Sequence, residues 1–296
     1  MRCHISQFNE YSQIKRMAIR PAISAYQSQS KIDAEWQDLR FHEVADYAES
    51  LNEYAAFRQN FIDAGVELIE LPKDDDLTLD SIYVRDAAII SPKGLILCNM
   101  GRASRNNEPT IHGEVMARHG IPTHGRITAP GSVEGGDFIW VNEKAAAIGE
   151  GPRTNAEGIR QLGKLLGPDV DLHVVALPDP NPEESHPDDV FHLMSMISPL
   201  DEDLSLIYRP LMPASFISWL ERHGMKFAEV PDDEFSPMGC NVLAISPREV
   251  LMLENLPGTK ANLEAAGCTV HTYKGLEISR KGEGGPTCLT RPLVRG

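Results

Sequence analysis

Apolar and polar positions follow a repeating pattern along this chain. Stretches with apolar residues at helical spacing (HEVADYAESLNEYAAFRQNFIDA, TIHGEVMARH, NAEGIRQLGKLL, PASFISWLERH and TKANLEAA) each stop just before a glycine, namely Gly65, Gly120, Gly167, Gly224 and Gly267. Glycine takes positive φ without steric cost, the conformation of a left-handed helix cap, so the pattern predicts five helices with glycine ends. After four of these glycines comes a strand-like segment: VELIEL, LHVVAL, MKFAEV and CTVHTY; Ile121 opens a weaker version, IPTH. Two apolar runs with a turn between them then follow, as in DAAIISPKGLILC, DFIWVNEKAAAIG, HLMSMISPLDEDLSLIY and NVLAISPREVLML. Turn residues at Ser91-Pro92, Asn142-Glu143, Ser198-Pro199 and Ser246-Pro247 predict hairpins there.

The residues opening these hairpins are Asp86, Asp137, His192, Asn241 and, in a last unit, Cys288, each roughly fifty residues from the next. Five units of helix, strand and hairpin are implied. The fifth has only CLTRPLV before the sequence ends at Gly296, one strand short, so an N-terminal strand around Met17 to Ile23 is expected to complete it. This closes a ring, removes open sheet edges and makes residues 1–296 one domain. Equivalent hairpin starts in such a ring converge, which would bring an acid, a histidine and a cysteine together.

Composition narrows the partner. With 43 Asp and Glu against 28 Lys and Arg, the formal charge of −15 opposes nucleic acid and anionic lipid and favours a small cationic substrate. Five cysteines without a CxxC pair argue against a disulfide framework and a cysteine zinc site, and point to a reducing, cytoplasmic setting. No apolar run approaches the roughly 20 residues of a membrane span, and the first residues lack the apolar stretch of a signal peptide.

Cys288 lies in GEGGPTCLTRPL, where glycines permit a ligand to approach the backbone. An isolated buried cysteine packs as a small hydrophobe, but the matching register of His192 makes a nucleophile and its acid–base partner the stronger reading. Glu134 in SVEGGDFIW could orient the imidazole, or with Asp137 could satisfy a tight glycine turn. Asp86 in LDSIYVRDAAII is either paired with Arg85 or another base, or waits for a cationic ligand. His112, His119 and His124 straddle a helix end with no acidic partner set and read as surface histidines, not metal ligands. Glu183, Glu184, Asp188 and Asp189 read as a solvated loop or a lid.

In order, LDSIYVRD, ASRNNE, VEGGDFIW, GPRTN, FHLMSM and GEGGPTCLTRPL resemble the guanidino-group-modifying enzymes over residues 15 to 296. These are the arginine deiminases, dimethylarginine dimethylaminohydrolases and amidinotransferases. The resemblance implies an α/β fold, the five-bladed α/β propeller or pentein with pseudo-fivefold repeats. It also implies Cys288 as nucleophile, His192 as acid and base, and Glu134 as orienting partner. Asp86 would hold the guanidinium, Arg105 and Arg153 a substrate carboxylate, and Asp80 the amino end. Two positions depart from the pattern. Arg85, also expected among the substrate-binding residues, matches the deiminases, whereas the dimethylarginine hydrolases carry an acid there. Met194 stands where deiminases place a second guanidinium-binding aspartate.

The expected function is hydrolysis of a C–N bond in a guanidino or amidino compound, a linear amidine, through a covalent thiouronium intermediate, without cofactor or metal. An amidinotransferase using the same residues and a propeller that binds a cationic metabolite without turnover are the alternatives. A homo-oligomer is left open.

Overall fold

The computed structural model describes residues 8–178 and 191–296. Cys3 and the acidic positions Glu183, Glu184, Asp188 and Asp189, with their lid reading, lie outside the described residues.

All five predicted helices form: Tyr47–Asp63, Glu108–Arg118, Ala156–Leu166, Ala214–Arg222 and Pro257–Ala265. The five glycines that follow all have positive φ, from 73° at Gly65 to 93° at Gly167. The N-terminal ends are set by side chains as well. Asp46 accepts from the Glu49 N–H (2.9 Å) and Asn155 from the Gly158 N–H (2.8 Å), supplying acceptors for orphan donors of the first turn.

Strands β1 (Ile14–Ile19) and β2 (Glu67–Glu70) run parallel to one another. The next four sheets share one plan. In β3 (Ala88–Ser91), β4 (Gly94–Leu97) and β5 (Thr123–Arg126), the first two strands form an antiparallel hairpin, and a helix returns the chain so that the third lies parallel to the second. The plan repeats in β6 (Phe138–Asn142), β7 (Ala145–Glu150) and β8 (Asp171–Ala176). It continues through β9 (Ile197–Asp201), β10 (Leu204–Ile207) and β11 (Lys226–Glu229). The fourth copy is β12 (Leu243–Ser246), β13 (Glu249–Leu253) and β14 (Thr269–Tyr273). The last strand, β15 (Thr290–Arg295), pairs antiparallel with β1, so the two ends of the chain build the fifth sheet, β15-β1-β2. The result is the five-bladed α/β propeller.

Burial grades across each blade. The strands β4 and β10 are buried at every residue, whereas the third strands β5 and β8 are largely half-buried or exposed. Strands packed on both faces need continuous apolar runs such as GLIL and LSLI, and rim strands tolerate charge.

Three expectations are corrected. The N-terminal strand spans Ile14–Ile19, not Met17 to Ile23, because Pro21 cannot donate to a ladder and the helix Ala22–Ala25 begins after it. Ser198-Pro199 sits inside β9 and the turn falls at Glu202 and Asp203. Pro199 is tolerated there because β9 is an edge strand of its sheet. The ring does not remove sheet edges: among the described residues it is made of five separate three-stranded sheets, each with two. No helix among the described residues is long and apolar enough to cross a membrane.

Candidate active site

The fivefold repeat places the chemistry-bearing residues at equivalent points, just ahead of the first strand of each blade. Asp86 precedes β3, Glu134 and Asp137 flank the turn before β6, and His192 opens the short turn Leu193–Ser195 before β9. Asn241 precedes β12 and Cys288 precedes β15. His192, Asn241 and Cys288 line a cavity of about 400 Å³, with Gly136, Met194 and Arg85 also in its wall.

His192 Nε2 and Glu134 Oε2 lie 2.8 Å apart, while His192 Nδ1 is 3.9 Å from Asp86 Oδ1. Glu134 is fully buried and its other oxygen accepts from the backbone N–H groups of Gly101 (3.0 Å) and Arg102 (3.2 Å) and meets Arg153 Nη1 at 3.5 Å. Burial pushes the Glu134 carboxyl up, but the His192 hydrogen bond and charge, with Arg105 and Arg153, hold it below the usual carboxylate range. Burial opposes charge on His192 too; the nearby Asp86 and Asp137 and the Glu134 bond outweigh it and raise the imidazole to about 9. At neutral pH the pair is therefore an imidazolium against a carboxylate.

Asp137 serves this pair indirectly. Its Oδ2 accepts from Thr154 Oγ1 (2.6 Å), its Oδ1 accepts from the Leu193 N–H (3.1 Å), and Thr154 in turn accepts from the Glu134 N–H (3.1 Å). Thus one buried carboxylate ties the turn bearing His192 to the segment bearing Glu134. Asn155, next along, caps a helix and keeps Thr154 in place.

Cys288 is a free thiol, half-buried. Burial and then the charge of Asp86 push its pKa up, against hydrogen bonds from Asn241 and Thr287. Asn241 Nδ2 donates to the sulfur at 3.4 Å, and Asn241 Oδ1 accepts from the N–H (3.1 Å) and hydroxyl (2.8 Å) of Thr287. Asn241 was assigned no role on sequence alone; the available signal was that it shares the hairpin-start register of His192 and Cys288.

The other predicted substrate-binding residues are arranged differently. Arg105 is buried, forked onto both oxygens of Glu108 (2.8 Å each), and donates to Asp86 Oδ2 (2.6 Å) and the Tyr83 carbonyl (2.8 Å). Arg153 is buried against Glu134, and buried Asp80 pairs with Arg102 at 2.8 Å. None of the three lines the cavity. Their long side chains find buried carboxylates first, since an unpaired buried charge is expensive. Arg85 does line the cavity, yet it is 0% exposed and does not share Asp86. It donates to the Thr287 carbonyl (2.9 Å) and Glu10 (3.2 Å), while its backbone N–H donates to the Cys288 carbonyl (3.1 Å). Arg85 and Asp86 sit in the turn ahead of β3 and take separate partners, Glu10 and Arg105. Arg105→Ala would remove the ion-pair partner of Glu108 and leave Asp86 with the Gly136 N–H and the His192 charge, and is expected to cost about 3–5 kcal/mol in urea unfolding.

Asp86, Glu134 and His192 could together bring three ligand atoms within 4.8 Å of one another around a metal ion. The donor set fits a cation poorly, because Arg105 sits on Asp86 and Arg153 on Glu134. Of the three histidines read as surface groups, His119 is exposed and His124 half-buried. His112 is instead buried, and burial holds its pKa down to about 3.

Gly136 has no room for a side chain: a Cβ would lie 2.6 Å from His192 Nδ1 and 2.8 Å from Asp86 Oδ1. Gly136→Ala is therefore expected to displace the imidazole and lower kcat by about 10²-fold, the cost of a misplacement near 1 Å. Steady-state kinetics with a parallel melting curve would separate this from unfolding.

A family profile described as arginine deiminase matches residues 78–223 and 212–295. The chain belongs to the arginine deiminase family. Among its relatives, the N(G),N(G)-dimethylarginine dimethylaminohydrolase of Pseudomonas aeruginosa is 28% identical over 250 residues, 83% of this chain and 89% of that protein. An arginine deiminase of Listeria welshimeri is 26% identical over 313 residues, covering 85% and 74%. A solved cysteine-to-serine mutant of the Pseudomonas aeruginosa dimethylaminohydrolase, complexed with citrulline, superposes with a TM-score of 0.74 at 26% identity, covering 96% of this family member and 100% of that chain. The chain is thus similar to hydrolases that act on C–N bonds.

Proposed function

We propose that this family member is a cysteine-dependent hydrolase that cleaves a C–N bond of a guanidino or amidino compound, like the dimethylarginine dimethylaminohydrolases. The observation that carries the reading is that His192, paired with the buried Glu134, lines the same cavity as Cys288. Resting Cys288 is a thiol, held neutral by burial and Asp86. A bound cationic guanidinium offsets both effects, so the substrate itself favours the thiolate, and the thiol proton passes to solvent because His192 is already protonated.

The thiolate then attacks the central carbon, forming a C–S bond, and the His192 imidazolium gives its proton to the departing amine as the C–N bond breaks. The product of this half is an S-alkylthiouronium on Cys288. His192, now neutral and held by Glu134, takes a proton from water, and the resulting hydroxide attacks the same carbon. With His192 thereby an imidazolium again, collapse breaks the C–S bond, and the urea-type product leaves its extra proton to the Cys288 thiolate, which becomes the resting thiol.

Substrate preference follows from the cavity wall. Phe191, Met194, Phe235 and Met238 give the wall an apolar part, and Met194 stands in place of a second acid. A guanidine that is bulkier, less basic or substituted on that face fits better than free arginine or dimethylarginine. The test is a chromatographic panel of guanidino and amidino compounds scored for free amine and urea-type product, with haloacetamidine labelling of the cysteines. Cys288 should label far faster than the other four at neutral pH, and Met194→Asp should shift preference toward unsubstituted guanidines. Wild-type kcat/KM on arginine or dimethylarginine above about 10⁴ M⁻¹s⁻¹ would defeat the preference. Turnover of no compound together with unlabelled Cys288 would defeat the reaction class.

A further inference from the structure

Arg85 forms part of the cavity wall, and its guanidinium meets a second group of charges that the proposed reaction does not use. Arg85, Arg291 and Arg295 are 0%, 1% and 4% exposed. Among the described residues, the carboxylate paired with this group is Glu10, which accepts from Arg85 Nη1 at 3.2 Å. The next carboxylate, Asp86, is committed to Arg105.

The remaining partners of the three guanidiniums are backbone carbonyls. Arg85 Nε donates to Thr287, Arg291 Nη2 to Arg85 and Gly135, and Arg295 Nη1 to Ser12 (2.6 Å) and Ala244 (3.0 Å). Three buried nitrogens, Arg85 Nη2, Arg291 Nε and Arg295 Nη2, meet no acceptor among the described residues. Carbonyl oxygens satisfy N–H groups but do not cancel charge.

Counted with Arg105, four guanidiniums (Arg85, Arg105, Arg291 and Arg295) face three carboxylates (Glu10, Asp86 and Glu108), which leaves one positive charge in excess out of water. Arginine is the side chain least able to relieve this by losing its proton, and an uncompensated buried charge is among the costliest features a fold can carry. Burial lowers Arg291 to about 9 and Arg295 to about 10, with Arg85 pushing both further down and Glu10 opposing.

Beside this group is a small cavity of about 20 Å³ lined by Glu10, Trp140, Arg291 and Arg295. A space of roughly 10–15 Å³ accommodates one water-sized particle. The cavity therefore has room for one such particle and none for phosphate or a carboxylic acid.

We infer that this cavity is a binding site for a single monatomic anion of chloride size, held by Arg291 and Arg295 beside the Arg85–Glu10 pair. The anion supplies the missing negative charge and an acceptor for orphaned N–H groups. The inference does not depend on the chemistry at Cys288.

Crystals of the full chain soaked in sodium bromide, with data collected at the bromine absorption edge, test it. An anomalous peak between the guanidiniums of Arg291 and Arg295 is expected. Ordered water alone in the cavity, or bromide only on the outer surface, would overturn it. In solution, the melting temperature should be roughly 2–4 °C higher in sodium chloride than in sodium gluconate of equal ionic strength. Arg295→Met should abolish that difference. Equal melting temperatures of the wild type in the two salts across the chloride range would also overturn the inference, so the result stands even if the variant does not fold.

Discussion

Cys288→Ser is expected to remove turnover while leaving the fold in place. The substitution changes one atom at a half-buried position, and serine can still accept the hydrogen bond that Asn241 Nδ2 makes to the sulfur. Arg85 and Thr287 hold this segment through backbone carbonyls and N–H groups, which the change does not touch. What is lost is nucleophilicity. A hydroxyl ionises far less readily than a thiol, and the substrate's positive charge, sufficient to favour a thiolate, cannot bring an alkoxide into the neutral range. The rate should fall by more than a hundredfold, consistent with the 10²- to 10⁴-fold expected for a catalytic group. Intact-mass spectra should show no substrate adduct, and haloacetamidine labelling at position 288 should vanish. A variant retaining more than about a hundredth of the wild-type rate would end the covalent mechanism.

The ring was legible because it is written in local chemistry. Helix ends at Gly65, Gly120, Gly167, Gly224 and Gly267 depend on one residue's backbone freedom, and hairpins such as Ala88–Leu97 on short apolar runs around a turn. Errors arose where the same local signal has two meanings. Ser198-Pro199 reads as a turn, but a proline also suits an edge strand, and only the pairing of β9 with β10 distinguishes the two.

The candidate site divides in the same manner. Cys288, His192 and Asp86 are placed by strand register, which a repeat reveals; Glu134 is suggested by its place in SVEGGDFIW, and Arg105, Arg153 and Asp80 rest on motif resemblance. Glu134 lies beside His192, and the two arginines lie against buried carboxylates. Their partners, Glu108 for Arg105 and Glu134 for Arg153, are chosen through space by long side chains. Arg85 is the sharpest case: its partner Glu10 lies 75 positions away in a segment with no motif.

His192→Ala is the second large effect. The imidazole is the group placed to protonate the leaving amine and then to deprotonate water, so both halves of the reaction should slow, by 10²- to 10⁴-fold overall. Little adduct should accumulate, because the first half is blocked too. The lost group also neutralised Glu134, whose remaining partners are two backbone N–H groups and Arg153. A structural loss alone would therefore lower stability as well as rate, and two measurements separate the roles. Free imidazole should restore part of the activity if the ring's work is proton transfer, whereas a collapsed site would not respond. The pH dependence gives the other. His192 has its folded pKa raised to about 9 from an ordinary 6.5. Its stabilising contribution is therefore complete below about 6.5 and fades as pH climbs through about 9. In the wild type, unfolding free energy should decline across that window, because the unfolded imidazole has lost its proton there while the folded one keeps it until about 9, and in His192→Ala this histidine-dependent decline should be absent. A wild-type rate in the variant, or the same alkaline decline in both proteins, would show that another group carries the proton.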